Sequence, residues 1–107
     1  MAECITRCLD CFRVCEETAA RCLDKGGAHA KAEHVRLLLD CAEICRTSSA
    51  FMMRGSAQHH VTCGACAKIC EACAVSCEAM KDDADMKKCA EACRRCAESC
   101  KSMSIEH

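Results

Sequence analysis

The sequence predicts an all-α protein, an antiparallel up-down-up-down four-helix bundle with a cysteine-lined core. Three observations predict it. Sixteen of the 107 residues are cysteine, and within runs they step by three or four residues, the spacing of one helix face. Proline is absent, while Ala, Glu, Lys, Arg and Met are abundant, which favours helix almost throughout. Glycine and short polar clusters divide the chain at intervals of roughly 20 residues, about 30 Å of helix.

Each helix follows from its punctuation. Lys25-Gly26-Gly27 ends a first helix running from about Glu3 to Asp24. A second begins near Lys31 and stops at Gly55, with Ser56 as the expected cap of the third. Asp82 and Asp83 follow Met80-Lys81 and are placed to cap a fourth helix ending near Ser104. Connections this short force antiparallel neighbours. A chain of this length makes one domain, 1–107.

The inward face is continuous on all four helices. Steps of four and three select Cys4, Cys8, Cys11, Cys15, Thr18 and Cys22 on the first, and His34, Leu38, Cys41, Cys45, Ser48 and Met52 on the second. They select His59, Cys63, Cys66, Cys70, Cys73, Cys77 and Met80 on the third. On the fourth they select Met86, Cys89, Cys93, Cys96, Cys100, Met103 and His107. Only Leu38 among these is plainly hydrocarbon. A flanking stripe of Ile5, Leu9, Phe12, Leu37, Ile44 and Ile69 is expected to seal the helix edges. His29 and His60 fall off this face and are expected in solvent.

Composition narrows the function classes. Leu, Ile, Val and Phe together number 15, fewer than the cysteines alone. The formal charge is −1, with 15 basic and 16 acidic residues interleaved, so neither nucleic acid nor a membrane surface is the expected partner. Two aromatic residues, Phe12 and Phe51, leave little on which bases could stack. The first residues carry charge and no apolar stretch of signal-peptide length, so a chain starting at Met1 is expected in the cytosol. There thiols stay reduced, and sixteen of them read as metal ligands rather than a disulfide framework.

Residues three or four apart place their Cβ atoms about 5–6 Å from one another. The pairs Cys4/Cys8, Cys11/Cys15, Cys41/Cys45, Cys66/Cys70, Cys73/Cys77, Cys89/Cys93 and Cys96/Cys100 each can hold an ion between two sulfurs. Thiolate selects Cu(I), Zn or iron–sulfur clusters. Charge favours the first. One Cu(I) per thiolate leaves the core neutral, whereas each Zn²⁺ held by four thiolates leaves about −2 in a site with no inward Lys or Arg. The expected cargo is therefore Cu(I), roughly one ion per cysteine. Two other readings stand beside it: metallothionein-like sequestration of Zn or Cd, and a Cys-ligated cluster serving redox or electron transfer. The carboxylates face outward and no nucleophile–base pair is legible, so an enzyme is not expected.

Three segments also carry a resemblance. Leu-Asp-Cys-Ala-Glu-Ile-Cys (39–45), Cys-Ala-Lys-Ile-Cys-Glu-Ala-Cys (66–73) and Cys-Ala-Glu-Ala-Cys-Arg-Arg-Cys-Ala-Glu-Ser-Cys (89–100) resemble the bacterial copper storage proteins. The resemblance implies a four-helix bundle filled with Cu(I), a place in the cytosolic branch, and a homotetramer. Copper ions are the expected partner, with a copper chaperone as a candidate for exchange. It also puts the mouth where the fourth helix begins. There family members often carry His, and this chain instead reads Met80-Lys81-Asp82-Asp83-Ala84-Asp85-Met86. His34, Met80 and Met86 are thus the expected entrance ligands, with an Asp carboxylate of this segment as a further substitute for the missing His; the plainer alternative is that the methionines fill a tapering end and His34 only caps it.

Overall fold

A computed structural model describes residues 1–105. Four helices account for most of them: α1 (Ala2–Lys25), α2 (Ala32–Met53), α3 (His59–Glu78) and α4 (Ala84–Met103). One turn of 3-10 helix, Gly27–Ala30, lies between α1 and α2. Each helix packs on its neighbours in chain order, and α4 closes against α1, while the diagonal pairs make no backbone approach. That is an up-down-up-down bundle, 44 × 19 × 18 Å along its principal axes.

The turns show why the chain breaks where it does. Gly26 and Gly27 both adopt positive φ, 71° and 57°, which a residue with a Cβ rarely occupies. The Gly26 N–H still donates to Cys22 O at 3.1 Å and closes α1. Asp83 caps α4, its Oδ1 accepting from the Asp85 and Met86 N–H groups at 3.0 and 3.1 Å. Ser56 does not cap α3 directly. That helix begins three residues later, and the Ser56 hydroxyl accepts from Gln58 N in the preceding turn.

The interior follows the cysteine face. All sixteen cysteines are buried, with Thr18, Leu38, Ser48, Met52 and Met86 among them. Ile5, Phe12, Leu37, Ile44 and Ile69 pack against this core as half-buried flanks. Leu9 does not, and remains 39 % exposed. At about 100° per residue it is the member of the Ile5-Leu9-Phe12 stripe turned furthest from the thiols. Alanines fill the other role: Ala42 and Ala74 are fully buried, and Ala90, Ala92 and Ala97 nearly so. Their small side chains let the backbones approach, which brings sulfurs from facing helices within reach. Exposed ion pairs such as Arg13–Glu17 and Arg94–Glu78 decorate the surface. Solvent screens such pairs, and they decide nothing about the fold.

Candidate metal centre

The thiols of different helices meet at the bundle axis. Sulfur–sulfur contacts run without interruption from Cys4 to Cys100 (3.7 Å), Cys8 (3.4 Å), Cys96 (3.6 Å), Cys45 (3.7 Å) and Cys70 (3.6 Å). They continue from Cys70 through Cys41 (3.5 Å), Cys11 (3.8 Å) and Cys15 (3.9 Å) to Cys89 (3.8 Å). The sixteen cysteines are free, and none forms a disulfide.

Four sets of four thiols converge within 4.8 Å: Cys8/Cys66/Cys96/Cys100, Cys11/Cys41/Cys45/Cys70, Cys11/Cys15/Cys41/Cys93 and Cys45/Cys66/Cys70/Cys96. Cys4, Cys63 and Cys100 form a triad, beside which the Ser48 hydroxyl lies 3.3 Å from the Cys63 sulfur. Cys22, Cys73, Cys77 and Cys89, at the opposite end, join no such set. Heptad-like spacing therefore puts every cysteine inside, but close convergence belongs to the middle and to the Cys4 end.

Electrostatics in this core are those of crowded acids. The Cys11 thiol is held below its ordinary value by the S–H groups of Cys15 and Cys41, and Cys15 is pushed up by the same contact with Cys11. Among the described residues, the buried polar groups are Thr18, His34, Ser48 and Ser49, with no Lys, Arg or carboxylate. A full set of thiolates there requires cations from outside.

The other end holds the sequence-predicted entrance residues. His34 is 5 % exposed. Its Nδ1 lies 2.7 Å from Ser76 Oγ and its Nε2 3.6 Å from the Cys22 sulfur. Burial lowers the His34 pKa and raises that of Cys22. Met86 is fully buried, and Met80 is half-buried against the core. His59 and Met103, at the Cys4 end, are half-buried, and His107 lies outside the described residues. His29 is not simply solvated: its Nε2 sits 2.7 Å from Asp83 Oδ2, which also accepts from Lys25 Nζ at 3.0 Å. Sequence reasoning missed this tie because it joins three elements through a residue off the inward face. His60 stays local, bonded through Nδ1 to Ala57 O.

A family model described as copper storage protein matches residues 1–105. The chain belongs to the copper storage protein family. Among solved structures, the Nmul_A1745 protein from Nitrosospira multiformis is 47 % identical, with a TM-score of 0.89 over 94 % of this chain and 91 % of that one. The Cu(I)-bound copper storage protein Csp3 of Bacillus subtilis is 36 % identical, with a TM-score of 0.91 over 97 % of each chain. A cytosolic copper storage protein from Streptomyces lividans, in a structure with five coppers, is 29 % identical. Its TM-score is 0.91 over 100 % of this chain and 93 % of that one. A curated relative, an uncharacterized cysteine-rich protein of Bacillus subtilis (strain 168), is 37 % identical over 66 residues. That match spans 62 % of this chain and 61 % of the relative's length. The all-α bundle expected from the sequence is thus the fold of copper storage proteins.

Proposed function

We propose that the chain is a copper store, one metal-binding domain that holds many Cu(I) ions on the thiolates of its sixteen cysteines. The observation that carries this is the unbroken path of sulfur contacts along an axis with no buried cation among the described residues. A soft monovalent ion replaces each thiol proton one for one, so the core is neutral when empty and neutral when full. Capacity is then roughly one ion per cysteine. The protein sequesters copper and is not a catalyst.

Ions enter at the end where Cys22, His34, Met80 and Met86 meet. Imidazole and thioether are neutral and hold Cu(I) less firmly than thiolate, so they pass it inward. Met80 and Met86 act as entrance ligands beside His34. By its kinship with the Streptomyces protein, described as cytosolic, the store works in the cytosol. We further propose, on the family resemblance alone, that it assembles as a homotetramer, and that it exchanges ions with a copper chaperone.

The test is anaerobic titration of reduced apoprotein with Cu(I) against a competing chelator. Saturation at well over about eight ions per chain is expected, and fewer than that overturns a store built on the whole thiol core. Light scattering of the same samples reports the tetramer.

A further inference from the structure

The geometry points to a second class of cargo: two, and only two, tetrahedral tetrathiolate sites for a divalent d¹⁰ ion such as Zn²⁺. A tetrahedral ion with metal–sulfur bonds of about 2.3 Å needs sulfurs about 3.8 Å apart. In the Cys45/Cys66/Cys70/Cys96 set, Cys45 lies 3.7, 3.6 and 3.7 Å from Cys66, Cys70 and Cys96. Cys66 is a further 3.7 Å from Cys70 and 3.9 Å from Cys96. In the Cys11/Cys15/Cys41/Cys93 set, Cys11 lies 3.9, 3.8 and 3.9 Å from Cys15, Cys41 and Cys93. Cys93 is 3.8 Å from Cys15 and 3.9 Å from Cys41. These are five of the six edges of each of two tetrahedra with no sulfur in common, and the sixth edges, Cys70–Cys96 and Cys15–Cys41, lie within 4.8 Å. A monovalent soft ion needs fewer sulfurs and does not demand that four converge on a point.

The limit of two follows from how the four-thiol sets overlap. Cys8/Cys66/Cys96/Cys100 shares Cys66 and Cys96 with the first tetrahedron. Cys11/Cys41/Cys45/Cys70 shares two sulfurs with each. No choice among the four sets leaves more than two that are disjoint. The end bearing Cys22, Cys73, Cys77 and Cys89 offers none.

Binding balances simply. Zn²⁺ and four thiols give a tetrathiolate of charge −2 and release four protons. Two such sites leave about −4 in a core without buried cations, which weakens retention. Four Cu⁺ then displace each Zn²⁺, forming four neutral Cu–S units and freeing the divalent ion. Two divalent ions held this way cover eight thiols while copper is scarce and leave when copper arrives. The inference rests on the reduced thiol core of the copper reading but not on its Cu(I) capacity.

The overlap pattern dictates the experiment. Reduced apoprotein is titrated anaerobically with Cd²⁺, followed by sulfur-to-metal charge-transfer absorption, and with Zn²⁺ against a chelator. The intact chain is expected to take two ions. Cys45→Ser keeps two, because Cys8/Cys66/Cys96/Cys100 and Cys11/Cys15/Cys41/Cys93 survive it. Cys41→Ser and Cys66→Ser each keep one. The double variant Cys41→Ser/Cys66→Ser keeps none, and Cys11→Ser/Cys96→Ser serves in its place where circular dichroism shows lost helix. Four ions in the intact chain, or two in Cys41→Ser, overturn the proposal. Cu(I) capacity is read on the same variants and falls only by about one ion per thiol removed. A low Cu(I) capacity with the two-one-zero series intact sinks storage alone, and the reverse result sinks the divalent sites alone.

Discussion

Ser76 on α3 and His34 on α2 share a 2.7 Å hydrogen bond that aims the other ring nitrogen at Cys22, 3.6 Å away on α1. In the tautomer that donates from Nδ1 to the hydroxyl, Nε2 presents its lone pair toward the thiol end of the core. Burial keeps the ring neutral by lowering its pKa, the form that binds metal. Three helices therefore cooperate to orient one imidazole at the proposed entrance.

Removing the hydroxyl tests that orientation. Ser76→Ala is expected to slow Cu(I) uptake about tenfold, the usual scale for losing a residue that orients a ligand. Saturating capacity is expected to stay unchanged, because no thiol is touched. Stopped-flow loading from a Cu(I)–chelator complex gives the rate, and equilibrium titration gives the capacity. Equal rates in both proteins would place the entrance elsewhere.

Asp83 fastens the same end from outside. One carboxylate oxygen caps α4 and the other joins Lys25 of α1 and His29 of the intervening turn. The Lys25 ammonium first, then the Met86 N–H and His29, hold its carboxyl well below the usual range. A depressed carboxyl contributes stability that is complete above the unfolded value of about 3.9 and is lost as pH falls through the folded one. Urea midpoints of the apoprotein between neutral pH and about pH 2 are therefore expected to fall on the acid side. Asp83→Asn, which retains a capping oxygen but not the charge, lowers the neutral-pH midpoint and flattens that acid limb. An unaltered limb would assign the acid loss to other carboxylates.

The middle of the core separates packing from binding. Cys70 and Cys73 lie on α3, both fully buried, and only Cys70 belongs to four-thiol sets. Cys70→Ser/Cys73→Ser is expected to lower Cu(I) capacity by about two ions while far-UV circular dichroism stays largely unchanged. A buried serine hydroxyl already sits beside a core thiol elsewhere, Ser48 against Cys63 at the Cys4 end, so the thiol core tolerates a hydroxyl. Loss of helix in the apo variant would mean that these thiols serve chiefly as small hydrophobes.

How much of this was legible in the sequence differs by residue. Cys4, Cys15, Cys45 and Cys93 could be placed inside because a three–four step fixes a helix face whatever lies opposite. Which sulfurs meet across the axis could not be read, since that depends on stagger between helices. Cys45 and Cys96 are separated by 51 residues and meet at 3.7 Å. The buried alanines, Ala42 and Ala74 above all, carried no chemical signal, yet they set the approach that brings the sulfurs together. His29 was misplaced because its partner Asp83 is 54 residues away and off any helical pattern. The late start of α3 reflects Gly55, whose φ of 64° extends the turn past Ser56.

Ser48 marks a position where the thiol face can be extended. It is fully buried, and its Oγ lies 3.3 Å from the Cys63 sulfur, beside the Cys4/Cys63/Cys100 triad. Serine and cysteine differ by one atom, and the slightly larger sulfur replaces an oxygen already in contact with sulfur, so the cost of overpacking is at the low end of about 1–3 kcal/mol. Ser48→Cys is therefore expected to fold, to give seventeen free thiols in a denatured thiol assay, and to bind about one further Cu(I). Ser48→Ala is the control: it removes the hydroxyl without adding a ligand and leaves capacity unchanged. A Ser48→Cys protein that folds yet gains no copper would mean that capacity at the Cys4 end is limited by something other than the number of sulfurs.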